Sequence, residues 1–138
     1  QNKDYFDCIF IDGLHEYNQV YKDIINSIKF LKDDGFIILH DCLPSSIHHQ
    51  AVPRYKSIWN GDVWKAIVNI RTRPELDTIT CSIDCGLSII RKKKNQDLLN
   101  LKIKSFKDLK FEDFYNNHKV YMRIKNYTET LDYLDLSR

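Results

Sequence analysis

Two short apolar runs, Cys8-Ile9-Phe10-Ile11 and Phe36-Ile37-Ile38-Leu39, bracket a stretch of helical spacing, and this alternation limits what residues 6–44 can fold into. An unbroken run of four apolar residues is the mark of a strand covered on both faces, so each run is predicted as a buried strand. Between them Val20, Ile24, Ile28 and Leu31 fall on one helical face, with Lys22, Asn26 and Lys29 elsewhere. Asp12-Gly13 closes the first strand with a turn signal. Asp33-Asp34-Gly35 is predicted to end the helix, the glycine serving as a left-handed cap, and the second strand stops at His40-Asp41. The unit reads as strand, helix, strand.

Parallel strands joined by a right-handed crossover present their carboxyl ends on the same sheet edge. Asp12, Gly13 and His15 are therefore expected close to His40 and Asp41, in a crevice of the kind that binds ligands in open α/β sheets. Two acids and two histidines exceed what a core needs, because charged groups are rarely buried without partners. Tyr17 is expected to pack the helix start, and His48 and His49 to lie exposed in a loop.

These residues resemble a known family. The pattern DCIFIDGLHEY, then a helix, then LKDDGFIILHDCLP is similar to the fourth and fifth strands of class I S-adenosylmethionine-dependent methyltransferases. It is most similar to the branch reading I-D-G-x-H-x-Y and later G-G-x-x-x-x-H-D, often associated with sugar or polysaccharide modification. VPRYKSIWNGDVWKAI and CGLSIIRKK resemble that branch's substrate loop, fifth helix and final hairpin, so the resemblance covers residues 4–94. It implies a partial Rossmann-like α/β sheet of two parallel strands plus an edge hairpin, and O-methylation of a sugar-like hydroxyl. His15 and His40 are then the catalytic candidates, Asp12 and Gly13 the cofactor contacts, and Asp12 and Asp41 the ligands of a divalent metal such as magnesium. Leu14 stands where many relatives carry a second acid. The glycine-rich turn that cradles the cofactor in such enzymes has no counterpart among Gly13, Gly35, Gly61 and Gly86. The chain is accordingly read as the carboxyl-terminal half of a longer protein, inactive and without cofactor affinity by itself.

Methyl transfer to a hydroxyl requires alignment of donor and acceptor and removal of the hydroxyl proton. A histidine titrating near neutrality suits that proton, and a metal held by carboxylates would acidify the hydroxyl directly. A metal-dependent hydroxylase, in sequences that keep the D-G-x-H and H-D pairs, and a non-catalytic interaction domain are the competing readings.

The remaining chain sets outer limits. With 138 residues, 43% of them hydrophobic, it can bury a core, and a net charge of +2 calls for neither nucleic acid nor an acidic membrane. No apolar run approaches a membrane span and the start is not a signal peptide, so a cytoplasmic location is the expectation. Cys8, Cys42, Cys81 and Cys85 match no paired metal or disulfide pattern and read as reduced, with Cys42 beside the crevice. Residues 42–60 read as a loop. Asn60 or Asp62 is expected to cap a helix through Ile70, with Val63, Ala66, Ile67 and Ile70 inward, and Thr78 to Ile83 and Leu87 to Ile90 to form a hairpin at the sheet edge. The basic run Arg91 to Lys94 opens an extension over residues 95–138 with helices at Phe111 to Tyr115 and Val120 to Leu134, against a first unit of residues 1–94. Finally, Cys8 to Ile11 lacks lysine or proline protection as an edge strand, which predicts a homodimer.

Overall fold

The computed structural model describes residues 5–136. In chain order the elements are β1 (Phe6–Ile11), α1 (Tyr17–Ile28), β2 (Leu31–Leu39), α2 (Val63–Arg71), β3 (Asp77–Cys81), β4 (Leu87–Arg91), a 3-10 turn (Phe106–Asp108), α3 (Phe111–Met122), β5 (Ile124–Lys125) and α4 (Tyr127–Tyr133). The strands form one mixed sheet in the order β1-β2-β4-β3-β5. Its parallel β1/β2 pair, crossover helix and antiparallel β4 make a Rossmann-like α/β fold.

The βαβ unit forms with Ile9 opposite Ile37 and Ile11 opposite Leu39. Its helix ends earlier than periodicity suggests. α1 stops at Ile28, and Leu31, expected on the helix, already belongs to β2. Asp33-Asp34-Gly35 lies inside that strand as an irregularity, where the register jumps from Phe6 opposite Leu31 to Cys8 opposite Phe36. Gly35 is therefore a close-approach glycine and not a helix cap. A Cβ there would lie 2.8 Å from the Asp7 carbonyl oxygen and 3.0 Å from Leu31 Cδ1.

Alternation along the strands puts Ile9, Ile11, Ile37, Leu39 and Ile90 on one face, under the apolar faces of α1 and α2. Val20 and Ile24 supply the α1 side, and Trp64, Ala66, Ile67 and Ile70 the α2 side. The opposite face is only partly covered. The reading of β1 as covered on both sides is corrected here: Phe6 and Phe10 are 51% and 59% exposed, and Cys8 is exposed as well. β1 is an outer strand whose further face no element of the described residues packs on. The hairpin also differs from expectation, because β4 is interior and β3 gains a short parallel neighbour, β5. That strand interrupts what reads as one helix over Val120 to Leu134.

Arg71 ends α2 in the core, its side chain 1% exposed. Its guanidinium donates to the carbonyl oxygens of Asp97, Val120 and Tyr121 and meets the Asp97 carboxylate at 3.3 Å. Beside it Arg123 reaches the buried carboxylate of Asp77 at 2.8 Å, and the Tyr133 hydroxyl donates to the Asp77 carbonyl. A buried cation is tolerable only with such a full set of acceptors. Arg71→Ala leaves buried carbonyls unpaired and a void, and should cost about 3 kcal/mol in chemical denaturation. A loss within experimental error would show that this network does not hold residues 97–121 to α2.

Candidate functional site

The site lies at the carboxyl ends of β1 and β2. Asp12 follows β1 directly, and His40 and Asp41 follow β2. His15 comes from the loop between β1 and α1, whose placement is set from far along the chain. The Asp62 amide donates to the His15 carbonyl oxygen at 3.1 Å, and the Asp62 carboxylate accepts from the Tyr17 amide at 2.6 Å. Asp62, expected to cap its own helix, thus caps α1 instead, where the first amides lack intrahelical partners. Gly61 makes the approach possible. It has a left-handed φ of 63°, and a Cβ on it would fall 1.7 Å from the His15 carbonyl oxygen. Tyr17 packs on Tyr21 and accepts a hydrogen bond from Asn69 at its hydroxyl, tying the two helices a second time.

Asp12, His15, His40 and Asp41 meet. His15 Nε2 lies 3.2 Å from Asp12 Oδ1 and 3.5 Å from Asp41 Oδ2. His40 Nδ1 lies 3.1 Å from Asp41 Oδ2 and 3.7 Å from Asp12 Oδ1. Asp41 has a left-handed φ of 61°, and its Oδ1 accepts from Asn60 Nδ2 at 2.8 Å. One potential ligand atom from each of Asp12, His15 and Asp41 lies within 4.8 Å of the other two. Gly13 takes no part in this contact. It is exposed, and a Cβ there would meet nothing closer than Asp23 Oδ2 at 3.9 Å. His48 is exposed and stacked on Tyr55, while His49 bonds Ser45 at 2.7 Å, and neither touches the four residues.

Four contributors escape a sequence reading. Trp59 stacks on the His15 ring at 5.2 Å between centroids and presents its carbonyl oxygen 3.1 Å from His15 Nδ1. The Arg54 guanidinium lies over the Trp59 ring, 5.7 Å from its centroid. Asn60 holds Asp41, and Asp84 of the β3–β4 turn places Oδ2 3.2 Å from His40 Nε2. A carbonyl has no sequence signature, and Asn60 and Asp84 read as cap and turn residues.

The protonation pattern follows from these partners. A carbonyl oxygen only accepts, so His15 carries its hydrogen on Nδ1, and in the neutral ring Nε2 presents a lone pair to two carboxylates. Three acceptors converging on one point repel unless a positive charge sits among them. A proton or a divalent cation meets that condition, and one nitrogen with two carboxylates is a suitable donor set for a transition metal. Cys42, beside the crevice, is a poor nucleophile: burial pushes its thiol up to about 12, and its sulfur faces the Leu39 and His40 carbonyls.

A family model described as a methyltransferase domain matches residues 1–42. The matched span takes in β1, α1 and β2 and all four converging residues, and supports a methyltransferase domain there. No curated protein and no solved structure matches the chain. Among the described residues no helix is long and apolar enough to cross a membrane.

His40 sits between carboxylates on both ring nitrogens. Burial disfavours its charged form, but Asp41, Asp84 and Asp12 outweigh burial and raise it above the ordinary 6.5. A raised value in the folded state gives stability that is complete below 6.5 and is lost as pH rises through the folded value. Urea denaturation between about pH 6 and about pH 9 should therefore show stability falling with pH, and His40→Gln should flatten that fall. An unchanged slope in the variant would remove His40 as its source.

Proposed function

We propose that the chain supplies the acceptor side of an S-adenosylmethionine-dependent O-methyltransferase acting on a sugar-type hydroxyl. The observation that carries this reading is the convergence of Asp12, His15 and Asp41 at the sheet edge, within the span that the methyltransferase-domain model matches. In this reading residues 1–94 carry the chemistry and residues 95–138 brace them. The four glycines of the chain offer no cradle for the cofactor, so the donor-binding turn is assigned to sequence beyond residues 1–138. The chain alone is then expected to transfer no methyl group.

Asp12, His15 and Asp41 would hold a divalent cation, which supplies Lewis acidity toward an acceptor hydroxyl. The chain's own groups prepare that position. Trp59 fixes the His15 ring by stacking and by accepting at Nδ1, so Nε2 faces the carboxylates. Asn60 holds Oδ1 of Asp41, which keeps Oδ2 turned toward His40 and His15. Without a cation, His15 Nε2 is the base that receives the hydroxyl proton as the acceptor oxygen takes its methyl group. His40 is less suited, since both its nitrogens face carboxylates. The nitrogen ligand also shifts the preference from magnesium, which favours oxygen donors, toward manganese or a softer ion.

Manganese titration followed by electron paramagnetic resonance tests the metal: one saturable site is expected, weakened at least about tenfold in Asp41→Asn. Binding that Asp41→Asn leaves intact would place the ion elsewhere. In the protein carrying both halves, transfer of labelled methyl to a glycan hydroxyl should fall by about 100-fold or more in an Asp12→Asn, Asp41→Asn double variant. Wild-type transfer by that variant would reject the assignment.

We infer also that two copies of the 138-residue chain pair through β1. The outer strand, with exposed Phe6, Phe10 and Phe30 lining a groove of 420 Å³, presents unpaired backbone and apolar surface together. Light scattering at micromolar concentration should give twice 16.5 kDa, and Phe10→Lys should restore the monomer. A wild-type monomer at that concentration ends the dimer reading.

A further inference from the structure

The β3–β4 turn is more elaborate than joining two antiparallel strands requires. Asp84, Cys85 and Gly86 have successive left-handed φ angles of 46°, 59° and 89°, a conformation that only glycine takes freely. Gly86 is obligatory, since a Cβ there would lie 2.7 Å from the Leu43 amide nitrogen and 2.5 Å from Leu43 Cγ. The Cys42 amide donates to the Gly86 carbonyl at 3.1 Å and the Leu43 amide to the Cys85 carbonyl at 2.8 Å. The turn is thereby fixed to the two residues that follow Asp41, itself left-handed.

The outcome of this construction is the position of one carboxylate. Asp84 Oδ2 lies 3.2 Å from His40 Nε2, while Nδ1 of the same ring lies 3.1 Å from Asp41 Oδ2. The ring is held at both ends and cannot swing away from Asp41 while both contacts persist. The Asp84 side chain is 70% exposed, and an ion pair so exposed contributes little to stability, less than strained left-handed residues cost. Its effect is one of direction. Asp41 receives Asn60 on one oxygen and His40 on the other, so the setting of the His40 ring decides where the second oxygen points. Ligand carboxylates are held in this way by hydrogen bonds from behind.

We propose that Asp84 is a positioning residue of the site, fixing the direction of the Asp41 carboxylate through the His40 ring. The inference rests on the reading of Asp41 as a working group of the site, and two measurements separate their fates. The first needs no metal. In the 138-residue protein the Asp41 carboxyl ¹³C resonance should move in Asp84→Ala and return in Asp84→Asn, whose amide oxygen still accepts from His40 Nε2–H. The thermal midpoint should match wild type in Asp84→Asn and fall slightly in Asp84→Ala, because alanine is strained at a φ of 46°, so the Asp41 resonance is the readout that a merely structural residue would not move. An Asp41 resonance indifferent to Asp84→Ala overturns the inference whatever the metal does. The second is manganese affinity, expected to drop about tenfold in Asp84→Ala and to recover in Asp84→Asn. Equal affinity in wild type and Asp84→Ala also overturns it. Absence of manganese binding in the wild type sinks the metal reading alone, and the carboxyl resonance then decides for Asp84.

Discussion

The clasp between His15 and the Gly61-Asp62 pair sets the rest of the site. One amide and one carboxylate of Asp62 engage His15 and Tyr17, and the missing side chain of Gly61 lets the two backbones touch. It joins the amino-terminal ends of α1 and α2, which lie on the same sheet face. Once they are joined, Trp59 and Asn60, immediately before Gly61, have little choice of position. Trp59 must lie against the His15 ring and Asn60 against Asp41. A single close backbone approach thus places several groups that no local pattern relates.

The electrostatics are those of a deliberate imbalance. Asp12, Asp41 and Asp84 surround two imidazoles, and His40 offsets part of that charge by taking carboxylates on both nitrogens. His15 cannot do the same in its neutral form, because its one hydrogen is committed to the Trp59 carbonyl. The two histidines therefore have different characters despite similar surroundings. His40 binds the carboxylates to each other, and His15 leaves a vacant direction pointing at them.

Much of this was legible where side chains sit at the ends of strands. Asp12, His15, His40 and Asp41 follow directly from the polarity of two parallel strands, a constraint that acts over a few residues and survives errors in helix length. Asp33-Asp34-Gly35 misled because such a tripeptide stops helices and also fits an irregular strand start; the deciding contact, Asp7 against Gly35, is between segments distant in sequence. An apolar run does not say how many of its faces a given chain covers, so the exposure of Phe6 and Phe10 was legible only through the reading of β1 as an unprotected edge. Asp84, Asn60 and Trp59 depend on turns docking across the sheet edge. The two-residue β5 is too short for any periodicity to mark.

The buried guanidinium of Arg71 bears on how the molecule comes into being. Its acceptors at Asp97, Val120 and Tyr121 lie 26, 49 and 50 residues further along, so during synthesis α2 leaves the ribosome well before they exist. An unmatched charge at the inner end of α2 resists entry into an apolar interior. The helix that carries the Gly61-Asp62 clasp at its other end therefore seats firmly only once α3 has emerged.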